Sequence, residues 1–143
     1  MARSDLPAVV DLERRTFSHP WTAELFRREL RLPYSKVVVA CTGPEGFIVG
    51  YVCRWLTSDA VEIQNVAVHL DWRRHSVARR LVEHVLVEAK RAGVGRALLE
   101  VRRHNHAAVR LYESFGFIET GVRRRYYSDG EDALLMERRE EAP

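Results

Sequence analysis

The chain opens with helical patterning. Leu6, Val9 and Val10 fall on one face, Pro7 is tolerated in a first turn and Ser4 stands ahead as a cap, which predicts a helix to about Phe17. "HPW" interrupts it. Thr22 caps a second predicted helix, "AELFRREL", with Leu25, Phe26 and Leu30 on one face and Pro33 fixing its end, so the two form a helix hairpin. From Ser35 the period becomes that of strands. "SKVVVAC", the turn "TGPEG" and "FIVGYVCRWL", then "VEIQNVAV" after "TSDA", predict an antiparallel meander. Beyond Ser76, Val77, Leu81, Val85 and Ala89 recur every fourth residue with Leu86 beside them, a core-facing helix closed by "RAGVG". "RALLEV" reads as a strand covered on both faces. Asn105 caps "HAAVRLYESF", which stops at Gly116, and "FIETGVRRRYY", the turn "SDGED" and "ALLMERR" read as a closing hairpin, with "EEAP" a frayed end.

The order is two helices, three strands, helix, strand, helix, two strands. A crossover helix between Val68 and Arg96 implies one parallel pairing in an otherwise antiparallel sheet, an α/β (α+β) architecture. Ligands favour such interruptions of strand order, just beyond the carboxyl end of a strand, and there lies "HLDWRRHSVA".

Composition sharpens this picture modestly. The 143 residues, 46% hydrophobic and 30% charged, suit one ordinary globular domain over 1–143. A formal charge of +3 is low for a dedicated nucleic-acid module. Cys41 and Cys53 are too few for a disulfide scaffold, and no Cys/His spacing resembles a metal site. "MARSDLPAVVDLERRTF" lacks the apolar run of a signal peptide and no segment reads as a membrane span, so a soluble cytoplasmic protein is expected.

The candidate chemistry starts at the helix after Ser76. Its first turn offers unpaired N–H groups and the positive end of the macrodipole, and Arg73, Arg74, His75 and Arg79 surround it: an anion site, or an ordinary solvated basic face. The wider pattern chooses between these. "NVAVHLDWRRHSVARRLVEHVLVEAKRAG" followed by "LEVRRHNHAAVRLYESFGF" resembles the GNAT superfamily of N-acetyltransferases. "DLPAVVDLERRTFSHPW" and "RRRYYSDGEDALLM" are similar to its RimI-type ribosomal-protein alanine N-acetyltransferases. The resemblance implies one mixed, mostly antiparallel sheet of six to seven strands flanked by about four helices, and acetyl-CoA as cofactor.

The same resemblance implies site roles. The family's phosphate loop falls on Arg73, Ser76 and Ala78, so amides from Arg74 through His75, Ser76, Val77 and Ala78 to Arg79 would cradle the pyrophosphate. Ser76 departs from the usual glycine, and a Cβ there crowds a loop needing close approach or positive φ; Ser also serves as an N-cap. Glu100 matches the proposed general base, or is a strand-end carboxylate paired with Arg102 or Arg103. Tyr112 matches the phenol that protonates the departing thiolate, or is an amphipathic core tyrosine. Asn105 contacts the cofactor, caps its helix, or both. Val66, Ala67 and Val68 would pair their backbone with the pantetheine arm, with Val66 or Val68 N–H as oxyanion donor. A direct transfer needs no covalent nucleophile, so neither cysteine is required.

For the acceptor, the resemblance implies a protein N-terminus, that of a small-subunit ribosomal protein in the RimI type, bound by a monomer or weak dimer. Phe17, Pro20, Trp21, Tyr126 and Tyr127 would shape its groove, although Trp21 and Phe17 also suit a hydrophobic staple around Thr22. Glu24 and Asp132 are candidates to read substrate charge or plain surface charges. Arg123, Arg124 and Arg125 blunt an edge strand, touch RNA or touch the cofactor's 3′-phosphate; the first is favoured, because successive strand residues face opposite sides. Rival functions are acetylation of lysine or small amines, a non-catalytic acyl-CoA-binding module, and, least, RNA binding.

Overall fold

The computed structural model describes residues 1–140; the last three positions of the "EEAP" end lie outside the described residues. Among the described residues, six strands and four α-helices follow the predicted order. They are α1 (Leu6–Thr16), α2 (Ala23–Arg31), β1 (Ser35–Thr42), β2 (Phe47–Leu56), β3 (Val61–Val68), α3 (Val77–Arg91), β4 (Arg96–Arg102), α4 (His106–Ser114), β5 (Ile118–Arg123) and β6 (Ala133–Arg139). The sheet order is β1-β2-β3-β4-β6-β5, antiparallel except for β3 against β4.

The sheet carries a core on each face, and strand alternation assigns them. Tyr51 and Cys53 of β2 pack with Val9, Val10 and Leu12 of α1 and Phe26 of α2. Val52, between them, turns the other way to Leu81, Val82, Val85, Leu86 and Ala89 of α3 and Tyr112 of α4. This is why "FIVGYVCRWL" is a continuous apolar run.

Four local expectations are corrected. Ser4 does not cap α1: residues Arg3–Asp5 form a 3-10 turn leading into the helix, and the Asp5 carboxylate accepts from the Ala2 N–H at 2.8 Å. Leu25 is 41% exposed, while Glu29 of the same helix is buried because its carboxylate accepts from the Ser35 hydroxyl and the Trp55 indole. The penultimate strand ends at Arg123 rather than running to Tyr127, since the Asp132 carboxylate accepts from the Arg125 N–H and turns the chain. Ser76 precedes α3 but its side chain accepts no capping bond, because the residue is left-handed, φ 62°.

Two features place the site. β3 carries a bulge at Gln64: Cys53 pairs with Asn65 and Arg54 with Ile63. The extra residue switches the faces of β3, so Val61 and Ile63 join the α3 side while Ala67 joins the α1 side. The β3–β4 pairing extends only over Val61–Ala97, Glu62–Leu98 and Ile63–Leu99, and beyond it the two strands part, opening a window through the sheet. Gly50 seats α3 beside that window. A Cβ there would lie 2.9 Å from Val77 Cγ1 and 3.0 Å from the Ala67 carbonyl oxygen, so only glycine lets the start of α3 approach β2 so closely.

Candidate active site

On the α3 side the window is lined by main chain. The His69 N–H donates to the Val49 carbonyl of β2 at 2.7 Å, so strand alternation turns the Val66 and Val68 N–H groups away from β2, toward the gap. The loop from Arg73 to Ser76 follows. Arg74 (φ 68°) and Ser76 (φ 62°) are both left-handed, a conformation costing a side chain about 1–2 kcal/mol and one that turns successive amides inward. Of the amides from Arg74 to Arg79, that of His75 donates to the Trp72 carbonyl at 3.3 Å; the other five find no acceptor among the described residues. A helix start so left suits an anion. Arg73 and Arg74 are exposed beside it and make no ion pair among the described residues, whereas Arg79 is held by the Ser114 hydroxyl at 3.0 Å and lies over the Phe115 ring.

Tyr112 lies on this side too. Its ring packs against Phe117 within the core cluster that holds Leu99 and Val101 of β4. Its hydroxyl has no partner, yet no enclosed side-chain polar atom among the described residues lacks one, so the hydroxyl reaches solvent. Burial, and then the nearby Tyr127 phenol, push its pKa up to about 12, and it keeps its proton. Asn105 caps α4: its carbonyl oxygen accepts from the Ala108 N–H at 3.2 Å.

The opposite face is built from side chains. Leu99 and Val101 point to the α3 side, so Glu100 between them points to the α1 side. Its partner is neither Arg102 nor Arg103. Arg102 is taken by Asp129 (2.8 Å) and Glu131 (3.0 Å), and Arg103 by Asp132 (3.2 Å); among the described residues the cation paired with Glu100 is Arg123, at 3.3 Å. Arg123 also lies over the Tyr126 ring, and the Glu100 carboxylate raises the Tyr126 pKa by hydrogen bonding and charge. Arg102 stacks on Tyr127, 4.0 Å from its centroid, and burial pushes that phenol up to about 12. The arginine run thus does not act as one: β5 is the edge strand, but Arg123 turns across the sheet. The two charges considered for reading substrate are engaged, Glu24 with Arg27 and Arg31, Asp132 with Arg103.

The loop between α1 and α2 lies on the same side of the sheet. Trp21 stacks on Phe26 at 5.3 Å, one residue before the Thr22 cap and four after it, which is the hydrophobic staple. Phe17 is half-buried at the end of α1 and Pro20 is exposed. Asp129 of the turn between β5 and β6 has its pKa lowered chiefly by the backbone bond from Glu131 and by Arg102. Under the α1–α2 loop lies a group that the sequence reading missed. Glu13, 1% exposed, accepts from the Trp21 N–H at 2.7 Å, from the Asn65 amide at 3.0 Å and from the Tyr51 hydroxyl. A signal for it existed, because apolar positions of β3 switch from 61 and 63 to 66 and 68 across Gln64, which turns Asn65 toward α1.

Cys53 is buried on β2, its thiol pushed up to about 12 by burial, and Cys41 is exposed on β1; neither borders the window. No helix among the described residues is long and apolar enough to cross a membrane.

Residues 6–117 match the sequence model of the acetyltransferase (GNAT) family. The chain belongs to the GNAT acetyltransferases. Its relatives agree. It is 35% identical to the [ribosomal protein bS18]-alanine N-acetyltransferase of Escherichia coli over 93% of this chain and 90% of that one. It is 36% identical to the N-alpha-acetyltransferase RimI of Mycobacterium tuberculosis over 96% and 89%. The crystal structure of the ribosomal-protein-S18-alanine N-acetyltransferase from Escherichia coli superposes with a TM-score of 0.90 at 32% identity, covering 100% of this chain and 92% of that one. As a GNAT enzyme the chain is an N-acetyltransferase that uses acetyl-CoA. The α3 side fits such a donor: five unpaired amides suit a pyrophosphate, and the strand amides of Val66 and Val68 suit an amide-bearing arm.

Proposed function

We propose that the chain acetylates the α-amine of a protein N-terminus, with donor and acceptor entering the window from opposite faces of the sheet. The observation that carries this reading is the disposition of Glu100 and Tyr112, a carboxylate on the acceptor face and an unpartnered phenol on the donor face. Bound acetyl-CoA supplies an activated acetyl group as a thioester. The amides of Arg74, Ser76, Val77, Ala78 and Arg79 hold its phosphates, with His75 shaping the turn and Arg73 adding charge. Val66 and Val68 offer their N–H groups to its arm and carbonyl, flanking Ala67, and Asn105 fixes the start of α4 beside it.

On the acceptor face Glu100 takes the proton from an ammonium whose reference pKa is about 8. The freed nitrogen lone pair would attack the thioester carbonyl carbon; as the C–S bond breaks Tyr112 Oη, with its raised pKa, would give a proton to the leaving thiolate, and the second proton that nitrogen loses as the amide forms would restore the phenol. Phe17, Pro20 and Trp21 form one wall of the acceptor groove, Tyr126 and Tyr127 the other. The acetyltransferase domain over 1–143 acts as a monomer or weak dimer. Its acceptor is an alanine-initiated ribosomal protein, a choice supported by the relatives' substrates.

The test is mass spectrometry of a peptide panel varied at the first residue and incubated with acetyl-CoA. Transfer to free N-termini that begin with Ala or Ser is expected. Transfer to none of them, while acetyl-CoA binds, would contradict the proposal and leave an acyl-CoA-binding module.

A further inference from the structure

We infer that Glu13 is a positioning residue for the acceptor: its buried carboxylate fastens the α1–α2 loop to β3, holding the acceptor wall in register with the window. The inference rests on the reading of that loop as the acceptor wall. The loop's own hold is apolar: Phe17 and Trp21 pack on the α1-side cluster, a contact that sets no bond direction toward β3. Trp21 and Phe26 staple it to α2, but α2 packs mainly on β1, away from the parting of β3 and β4.

Glu13 supplies the missing link. One carboxylate oxygen takes the Trp21 N–H of the loop; the other takes the Tyr51 hydroxyl of β2 and the Asn65 amide of β3, and the Asn65 amide also donates to Tyr51 at 2.8 Å. Asn65 is adjacent to Val66, whose N–H faces the gap. One side chain therefore couples the acceptor loop to the strand that presents the donor-side amides.

Its chemistry is unusual for a mere packing residue. Among the described residues Glu13 has no cationic partner, and burial raises its pKa against the three hydrogen bonds that lower it. A buried carboxylate without a counter-ion is costly, and an apolar side chain would fill the same space at less cost. What an apolar side chain would lack is three directed bonds to three elements.

Glu29 provides an internal control. It is also a buried carboxylate, 8% exposed, bonded to Ser35 and Trp55, but it lies at the far end of β2 from the window.

The experiment is steady-state acetylation of an alanine-initiated peptide by the full chain and by Glu13→Gln, Glu29→Gln and the double variant E13Q/N65D, with melting temperatures measured in parallel. For Glu13→Gln the peptide KM is expected to rise about tenfold, the loss of one hydrogen bond to a charged group, with the acetyl-CoA KM unchanged. Glu29→Gln is expected to lower the melting temperature comparably and to leave the peptide KM alone. The double variant moves the carboxylate to β3 and the amide to α1. The new amide carbonyl accepts from Trp21, and the new carboxylate accepts from Tyr51 and from the new amide, so the peptide KM is expected to return toward that of the unsubstituted chain. Should Glu13→Gln fail to fold, Tyr51→Phe removes a single donor and is expected to raise the peptide KM about threefold, the lower range for one bond.

A peptide KM unmoved in Glu13→Gln, or raised equally in Glu29→Gln, would overturn the inference while leaving the acetyltransferase reading intact. No transfer by the unsubstituted chain would overturn that reading, and the inference with it.

Discussion

The two faces of the window are built from different material. On the α3 side the contacts on offer are amides of Val66, Val68 and the Arg74–Arg79 turn, so their positions depend on the backbone and on what packs beneath it. On the α1 side they are the side chains of Glu100, Arg123, Tyr126 and Tyr127, each dependent on its own identity. The comparison explains why a serine stands where the family uses glycine. Ser76 points no functional atom at its helix; it has to adopt the left-handed turn, and the structure shows that it does. A main-chain site tolerates the change, whereas a side-chain site would not.

Substitutions can break that distinction. The largest effect is expected of Tyr112→Phe, which removes a phenol but no backbone: kcat is expected to fall by about 10²–10⁴, the range of general acid catalysis, with acetyl-CoA affinity by calorimetry unchanged. Glu100→Gln is expected to cost kcat about 10²-fold, the lower end of that range, because ordered water can pass the proton instead. The pH profile sharpens the pair. With Tyr112 pushed up to about 12 the acid stays protonated, so kcat at saturating peptide is expected to show no loss from deprotonation of the acid up to about pH 10. A fall beginning near pH 9 would remove Tyr112 from the acid's role.

The main-chain face should respond to changes under it. Gly50→Ala puts a methyl group 2.9 Å from Val77 and 3.0 Å from the Ala67 carbonyl, and is expected to cost about 1–3 kcal/mol of stability and to weaken acetyl-CoA binding. Ser76→Gly should act in the opposite sense. Relief of left-handed strain, less the added freedom of the unfolded chain, is expected to stabilise by about 1 kcal/mol in a chemical denaturation experiment. Arg73→Ala and Arg74→Ala come last: exposed charges are expected to shift acetyl-CoA affinity about threefold at low salt and less at high salt.

Much of this was legible in the sequence. β2, β3 and β6 match their apolar runs residue for residue, and the Thr22 and Asn105 caps are made by those side chains. The Arg74–Arg79 turn and Tyr112 could be named as candidates from their motif. What was hidden depends on distance in sequence. Glu100 meets Arg123 across two strands, and Glu13 meets Asn65 from α1, pairings that no local spacing encodes. Leu25 and Glu29 show the same limit from the other side, a helix face whose apolar residue is exposed and whose acid is buried because β1 and β2 supply its donors.

The most direct test of the account is to give the enzyme a single peptide that starts with alanine and contains an internal lysine, and to locate the acetyl group by fragmentation. The proposed acceptor face, with Glu100 beside Tyr126 and the Trp21 loop as its other wall, predicts acetyl on the α-amine and none on the lysine. Acetyl on the lysine with the α-amine untouched would contradict it.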